Sequence, residues 1–277
     1  MTLFKTDDTR PIYSYPREDA ASLRASFEHL LAQSLPEQAY QTFIERHTQL
    51  VPREFVQNHG VHFKLVFRQL PFGADYKSDL FFLSKSTDDW HCVFVELERP
   101  QAKFFKPRSN EFSSDFVAGL HQINSWRAWF LNPANRQYFL DSTLADVRKP
   151  LGHNPAFMKY VLVIGRRGEY EDNQVRQRLV KAQESDEFHI ISYDSLMEDL
   201  VSKEPLYIAS RHNEYVEILS DEVFGENIFA TMAPEQISVS AALLEKIRTH
   251  RTNCHRMENG KTVEIFRFVE NRLRVRK

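Results

Sequence analysis

In the run Val93-Phe94-Val95-Glu96-Leu97-Glu98 carboxylates alternate with apolar side chains. A strand sorts such a run by its period of two, with Val93, Val95 and Leu97 on one face and Phe94, Glu96 and Glu98 on the other. Asp79 opens a second apolar run, Asp79-Leu80-Phe81-Phe82-Leu83. The segment from Ser84 to His91 is polar enough to be the loop of a hairpin. If the two strands pair, Asp79, Glu96 and Glu98 meet at one end of it. Clustered carboxylates repel unless something positive joins them, and a divalent cation is the usual answer. Alternating Glu on a half-exposed strand also arises in acidic chains without any site. What sets this run apart is that Asp and Glu are depleted in strands, yet here they back a very apolar face.

The surrounding pattern predicts an α/β fold. Residues 1–18 read as an extended arm. Leu23, Phe27, Leu30 and Leu31 fall at helical spacing, ended by Pro36. A second helix carries Tyr40, Phe43, Ile44 and His47 on one face and stops near Pro52. Residues 61–70 read as a strand and Pro71-Phe72-Gly73 as a turn before the carboxylate hairpin. After Pro100 comes an irregular basic stretch, then a helix from about Ser113 to Asn132 that Pro133 stops. Its stripe is Phe116, Leu120, Ile123 and Phe130, with Gln122, Trp126 and Trp129 on a neighbouring face. Tyr160-Val161-Leu162-Val163-Ile164-Gly165 is nearly all apolar, which suits a central strand covered on both faces. A helix at 173–183, a strand at 188–192 and a short helix near Asp194 follow. This succession describes an α/β sandwich with a mixed sheet flanked by helices. It gives a core over 19–203 and an α+β accessory region over 204–277, with a strand near 215–219, a helix at 240–249 and a terminal hairpin.

Composition narrows the class. Hydrophobic content of 42% supports a real core, and 36 basic against 38 acidic residues give no global field to announce a nucleic-acid or membrane partner. Charge is uneven, however: residues 241–277 hold ten Lys/Arg against four Asp/Glu. This basic tail reads either as a phosphate contact or as a solvated surface element. Cys92 and Cys254 cannot build a disulfide framework. His250, Cys254 and His255 lack the second pair of ligands a closed zinc site needs. No apolar run reaches the ~18 residues of a membrane span, and the N-terminus has no signal-peptide core. The expectation is a cytoplasmic protein with no membrane partner.

A phosphodiesterase that uses Mg²⁺ (or Mn²⁺) needs hard oxygen ligands and a group that orients or deprotonates water. Asp79 and Glu96 can supply the ligands. Glu98, two residues on and roughly 6.5 Å along the strand, is placed to act on water at the metal.

Asp79-x₁₆-Glu96-Leu97-Glu98 followed by Gln122 resembles the PD-(D/E)XK nuclease superfamily, whose core is an αβββαβ unit. More narrowly, four local patterns over roughly residues 38–200 resemble the Shedu-type antiphage nuclease domain. These are Tyr40-Gln41-Thr42-Phe43-Ile44-Glu45-Arg46-His47, Phe72-Gly73-Ala74-Asp75-Tyr76-Lys77-Ser78-Asp79, Val95-Glu96-Leu97-Glu98-Arg99-Pro100 and Gln122-Ile123-Asn124-Ser125-Trp126. The resemblance implies a metal-dependent DNA endonuclease of antiphage defence, with Asp79 and Glu96 as metal ligands and Gln122 near the scissile phosphate. Glu98 departs from the pattern, because it stands where the superfamily usually has Lys. Either Glu98 serves as a carboxylate base, as in some restriction enzymes of the superfamily, or a Lys such as Lys77 or Lys103 reaches in. A further possibility is a degenerate nuclease fold that only binds nucleic acid or protein. Glu45 reads equally as a further ligand and as a solvated helix residue.

Lys103, Lys106 and Arg108, beside Phe104 and Phe105, form a candidate nucleic-acid-binding loop or a solvated charge run. Trp126 and Trp129 could stack on bases for about 1–3 kcal/mol each, but core positions are favoured for both. Cutting two strands of a duplex suits a dimer, and the resemblance implies a homo-oligomer.

Overall fold

A computed structural model describes residues 19–74, 76–220, 228, 231–249, 255–258, 261–264 and 274–275. The arm at 1–18 lies outside the described residues, as do His250 and Cys254. The chain forms an α/β fold around a nine-stranded mixed sheet, ordered β11-β8-β7-β6-β1-β2-β3-β4-β5.

The centre of the sheet is the antiparallel meander β1 (Val61–Phe72), β2 (Tyr76–Lys85) and β3 (Trp90–Leu97). On one side β4 (Ala156–Val163) and β5 (Phe188–Ile191) continue it in parallel. On the other, β6 (Tyr207–Arg211) runs parallel to β1, followed by β7 (Val216–Ile218), β8 (Ile237–Val239) and β11 (Arg274–Val275). The strands after residue 203 therefore extend the core sheet. A separate hairpin joins β9 (His255–Glu258) and β10 (Lys261–Glu264), where a terminal hairpin is expected.

Both faces of the sheet are covered. Val93, Val95 and Leu97 of β3, with Val161 and Val163 of β4, meet α1 (Ala20–Leu31) and α2 (Glu37–Arg46) through Leu23, Phe27, Tyr40 and Ile44. On the opposite face Phe94, Tyr160 and Leu162 meet α3 (Ser114–Leu131) through Phe116, Ile123, Trp126 and Phe130. The alternation read from the sequence is thus the partition between two cores. Helix starts follow local chemistry. Asp19 caps α1 by accepting from the backbone of Ala21 and Ser22, and Ser113 caps α3 by accepting from Phe116.

Two local readings change. The hairpin loop is shorter than Ser84 to His91, because Ser84 pairs with His91 and Lys85 with Trp90. Pro133 opens a new helix, α4 (Pro133–Tyr138), with Asn132 as its cap; proline suits the first helical position because its missing N–H has no partner to lose there. The short helix expected near Asp194 is present as a 3₁₀ helix, Tyr193–Met197. The helix α5 (Gln174–Lys181) lies where expected. Among the described residues no helix is long and apolar enough to cross a membrane.

Candidate active site

The β2–β3 ladder stops at Leu80↔Val95. Two residues past Val95, the backbone N–H of Leu97 donates to the Asp79 carboxylate at 2.8 Å instead. The strands separate at this end, and the side chains of Asp79 and Glu96 occupy the gap. They line a cleft of about 840 Å³ whose other wall is the face of α3 bearing His121, Gln122 and Ser125. Gln122 donates its amide to Glu96 Oε1. Trp126 closes the floor and is itself buried, so it serves as core.

The aromatic packing beneath fixes this geometry. Phe94, two residues before Glu96, lies 5.0 Å from Phe130 and 5.6 Å from Phe139, ring centre to ring centre. Gly119 lets α3 approach the sheet: a Cβ there would lie 3.2 Å from Leu162 and 3.5 Å from Glu98. At the other end, Gly73 takes φ +70° in the turn into β2, against the Trp129 indole.

Electrostatics follow from burial. Packing strips water from Asp79 and pushes its carboxyl up to about 7, opposed by the Leu97 N–H and reinforced by Glu37, Glu45 and Glu98. Burial likewise drives Glu96 well above the usual carboxylate range, with Asp79 next and Lys77 pulling the other way. The second oxygen of each carboxylate has no hydrogen-bond partner among the described residues. Both residues are thus hard oxygen donors held in place on one side, with Lys77 as the cation acting on Glu96.

Glu98 follows this pair along the chain, and its charge acts on both Asp79 and Glu96. It lies just past β3, donates its N–H to Val163 and accepts the Tyr193 hydroxyl at its carbonyl, 2.5 Å away. Its half-buried carboxyl is raised by desolvation, then by Glu37 and Asp115. It does not line the cleft with Asp79 and Glu96. Among the described residues no group of three or more His, Cys, Asp or Glu side chains is gathered to hold a metal.

Of the basic candidates, only Lys77 lines the cleft. Lys103 pairs with Glu169 at 3.0 Å and Lys106 with Glu111 at 2.7 Å, outside it. Arg108 is exposed at φ +57° in the same loop, whose Phe104 and Phe105 are buried. In the basic tail, Arg274 is engaged internally, 3.2 Å from Glu214 and over the Tyr215 ring.

Glu45 is neither solvated nor in the cleft. It is buried, takes the Gln41 amide at 3.0 Å and the Arg68 guanidinium at 3.2 Å. Gln41 also reaches the Asp79 carbonyl at 3.5 Å. The residue missed by the sequence reading is Glu37, which stands at the cleft edge and whose charge acts on Asp79, Glu96 and Glu98. The signal was there: Glu37, Gln41 and Glu45 repeat every four residues along one face of α2.

An α/β fold with paired acidic side chains at the frayed end of a central hairpin, facing a helix amide, defines this chain's class. The family model "Shedu protein SduA, C-terminal" matches residues 34–197, and the chain belongs to that family. Among curated proteins no match is found.

Proposed function

We propose that this chain is a metal-dependent DNA endonuclease of an antiphage defence system, built on a PD-(D/E)XK-type core. The observation that carries the reading is the pairing of Asp79 and Glu96 at the open end of the β2–β3 hairpin, opposite Gln122. Family membership supports the defence role. The succession α2-β1-β2-β3-α3-β4 supports the core type, because it has the order αβββαβ.

The donor set fits Mg²⁺ or Mn²⁺: two carboxylates suffice for an ion that keeps several waters and takes phosphate oxygens. Bound there, such an ion supplies charge stabilisation to a reacting phosphodiester. The chain's own residues do the rest. Leu97 N–H holds the Asp79 carboxylate in one orientation, and Gln122 does the same for Glu96. Lys77 offers the cleft a cation for a phosphate oxygen, in the role that Glu98 cannot fill by charge. Trp126 and Phe94 keep the floor rigid.

Purified protein incubated with plasmid and linear DNA is expected to cut only with Mg²⁺ or Mn²⁺, and Glu96→Ala to abolish cutting. In cells, wild type lowers phage plating and Glu96→Ala does not. Absence of cutting of any DNA or RNA form with either ion overturns the catalytic claim; cutting of RNA alone moves the substrate.

One observation favours a binding-only reading, namely that Glu98 stands where the superfamily usually has Lys. That reading expects DNA binding that survives Glu96→Ala and needs no metal.

A further inference from the structure

The α3 wall of the carboxylate cleft has chemistry of its own. Ser114, Val117, Ala118, His121, Gln122 and Ser125 all line the cleft from this helix. Residues spaced by three and four form one continuous stripe along a helix. His121 lies mid-stripe, next to the Gln122 that donates to Glu96 Oε1. Its carbonyl accepts the Ser125 hydroxyl at 2.9 Å, which turns that hydroxyl's proton back into the helix. The imidazole itself is exposed and has no hydrogen bond or ion pair among the described residues.

Hydrolysis of a phosphodiester moves two protons. The oxygen of a water bonds to phosphorus and loses one. The bond from phosphorus to the leaving sugar oxygen breaks, and that oxygen gains one. A positioned acid contributes about 10²–10⁴-fold to such a transfer. The attacking and leaving oxygens lie roughly in line through phosphorus. The donor for the leaving oxygen therefore stands across the phosphate from the groups that serve the water.

The charged and titratable groups that face this space are Glu37 from α2, Lys77 and Asp79 from β2, Glu96 from β3 and His121 from α3. Four of the five belong to the acidic side. Asp79 and Glu96 are the ligand pair, Glu37 adds its charge to theirs, and Lys77 is the cation for a phosphate oxygen. His121 alone faces them from the opposite wall. An imidazole holds and releases protons near neutral pH, which an ammonium or a hydroxyl ordinarily does not.

We propose that His121 is a catalytic residue of this cleft, whose ring N–H gives its proton to the leaving sugar oxygen as the bond to phosphorus breaks. The ring is left neutral and regains a proton from solvent, which balances the one lost by the attacking water. This role rests on the nuclease reading of the same cleft and adds the proton donor that reading lacks.

DNA with sulfur in place of the leaving oxygen tests the role, because a thiolate departs without a proton. Cutting positions are first mapped with the wild-type chain and Mn²⁺. Two substrates then carry a bridging sulfur on the 3′ or the 5′ side of a mapped phosphate. His121→Gln is expected to cut ordinary DNA about 10²-fold or more slowly than wild type. On one of the sulfur substrates it should come within about tenfold of wild type. Its melting temperature and its DNA binding in Ca²⁺ should be unchanged. Asn124→Ala, on another face of α3, should cut like wild type. A wild-type chain that cuts no DNA removes the nuclease reading and this role with it. If wild type cuts, an unimpaired His121→Gln overturns the role of His121 alone. So does a deficit that neither sulfur substrate relieves, an equal loss in Asn124→Ala, or sulfur rescue of Glu37→Gln in place of His121→Gln.

Discussion

Leu97 donates its backbone N–H to the carboxylate of Asp79 across 2.8 Å, where strand pairing would otherwise have given it a carbonyl. The side chain thus replaces one rung of the ladder and opens the hairpin at the same point.

Two substitutions at this position should therefore part company. Asp79→Asn keeps an oxygen for Leu97 and removes a charge that repels Glu96, so the metal-free protein should be at least as stable as wild type. Asp79→Ala leaves the N–H unmet and should be about 1–2 kcal/mol less stable than Asp79→Asn. Urea unfolding of the two proteins checks this; equal midpoints would contradict it.

The Gln122–Glu96 bond sets a second expectation. Gln122→Glu places a carboxylate against one that is already crowded, and should cost about 1–3 kcal/mol at neutral pH. Mn²⁺ should restore much of the loss by joining the acids. Thermal unfolding with and without Mn²⁺ decides, and a variant as stable as wild type in chelator would be incompatible with the contact.

Beneath the cleft, Glu45 and Arg68 form a buried ion pair at 3.2 Å. Removing one partner strands a charge and should cost about 3–5 kcal/mol. Replacing both by apolar residues, Glu45→Leu with Arg68→Met, should recover most of it. A double-mutant cycle in denaturant measures the coupling, and additive losses would refute the pairing.

The fourth expectation concerns acid. His62 is buried beside Trp90, bonds the Lys149 carbonyl at 2.8 Å, and has its pKa driven down to about 3 by burial and then by Lys85. The unfolded chain binds this proton near pH 6.5 and the folded one near 3, so the unfolded state holds more protons between those values. Stability from the neutral ring is complete above about pH 6.5 and is lost as pH falls toward 3, by on the order of a few kcal/mol. His62→Gln should flatten that limb of the stability–pH curve. An unchanged slope between pH 6.5 and 4 would rule the ring out as its source.

What the sequence made legible was local. The split of Val93, Val95 and Leu97 from Phe94 and Glu96 needs only a period of two, and both sides of it are now packed cores. That Asp79 and Glu96 meet follows from the same hairpin. The rest depended on partners distant in the chain. Gln41 and Glu45 look like surface residues until Arg68 arrives from β1. Trp90 and His91 look like loop until the backbone of β2 pairs with them. Strand β6 shows no alternation because all five of its residues are buried, Arg211 being admitted by Asp146 at 3.2 Å. Glu98 shares the parity of Glu96, but β3 has ended before it.

The attachment of β6 to β1 has a practical corollary for anyone trimming this chain. The segment matched by the family model ends at residue 197, ten residues short of β6. A fragment cut there would keep the whole carboxylate hairpin yet strip β1 of its parallel neighbour along Leu65, Val66 and Phe67. A long apolar strand would then face solvent with unpaired amides, which is a template for self-association. Such a fragment should come out of cells as aggregate, whereas one carried through β8 should not.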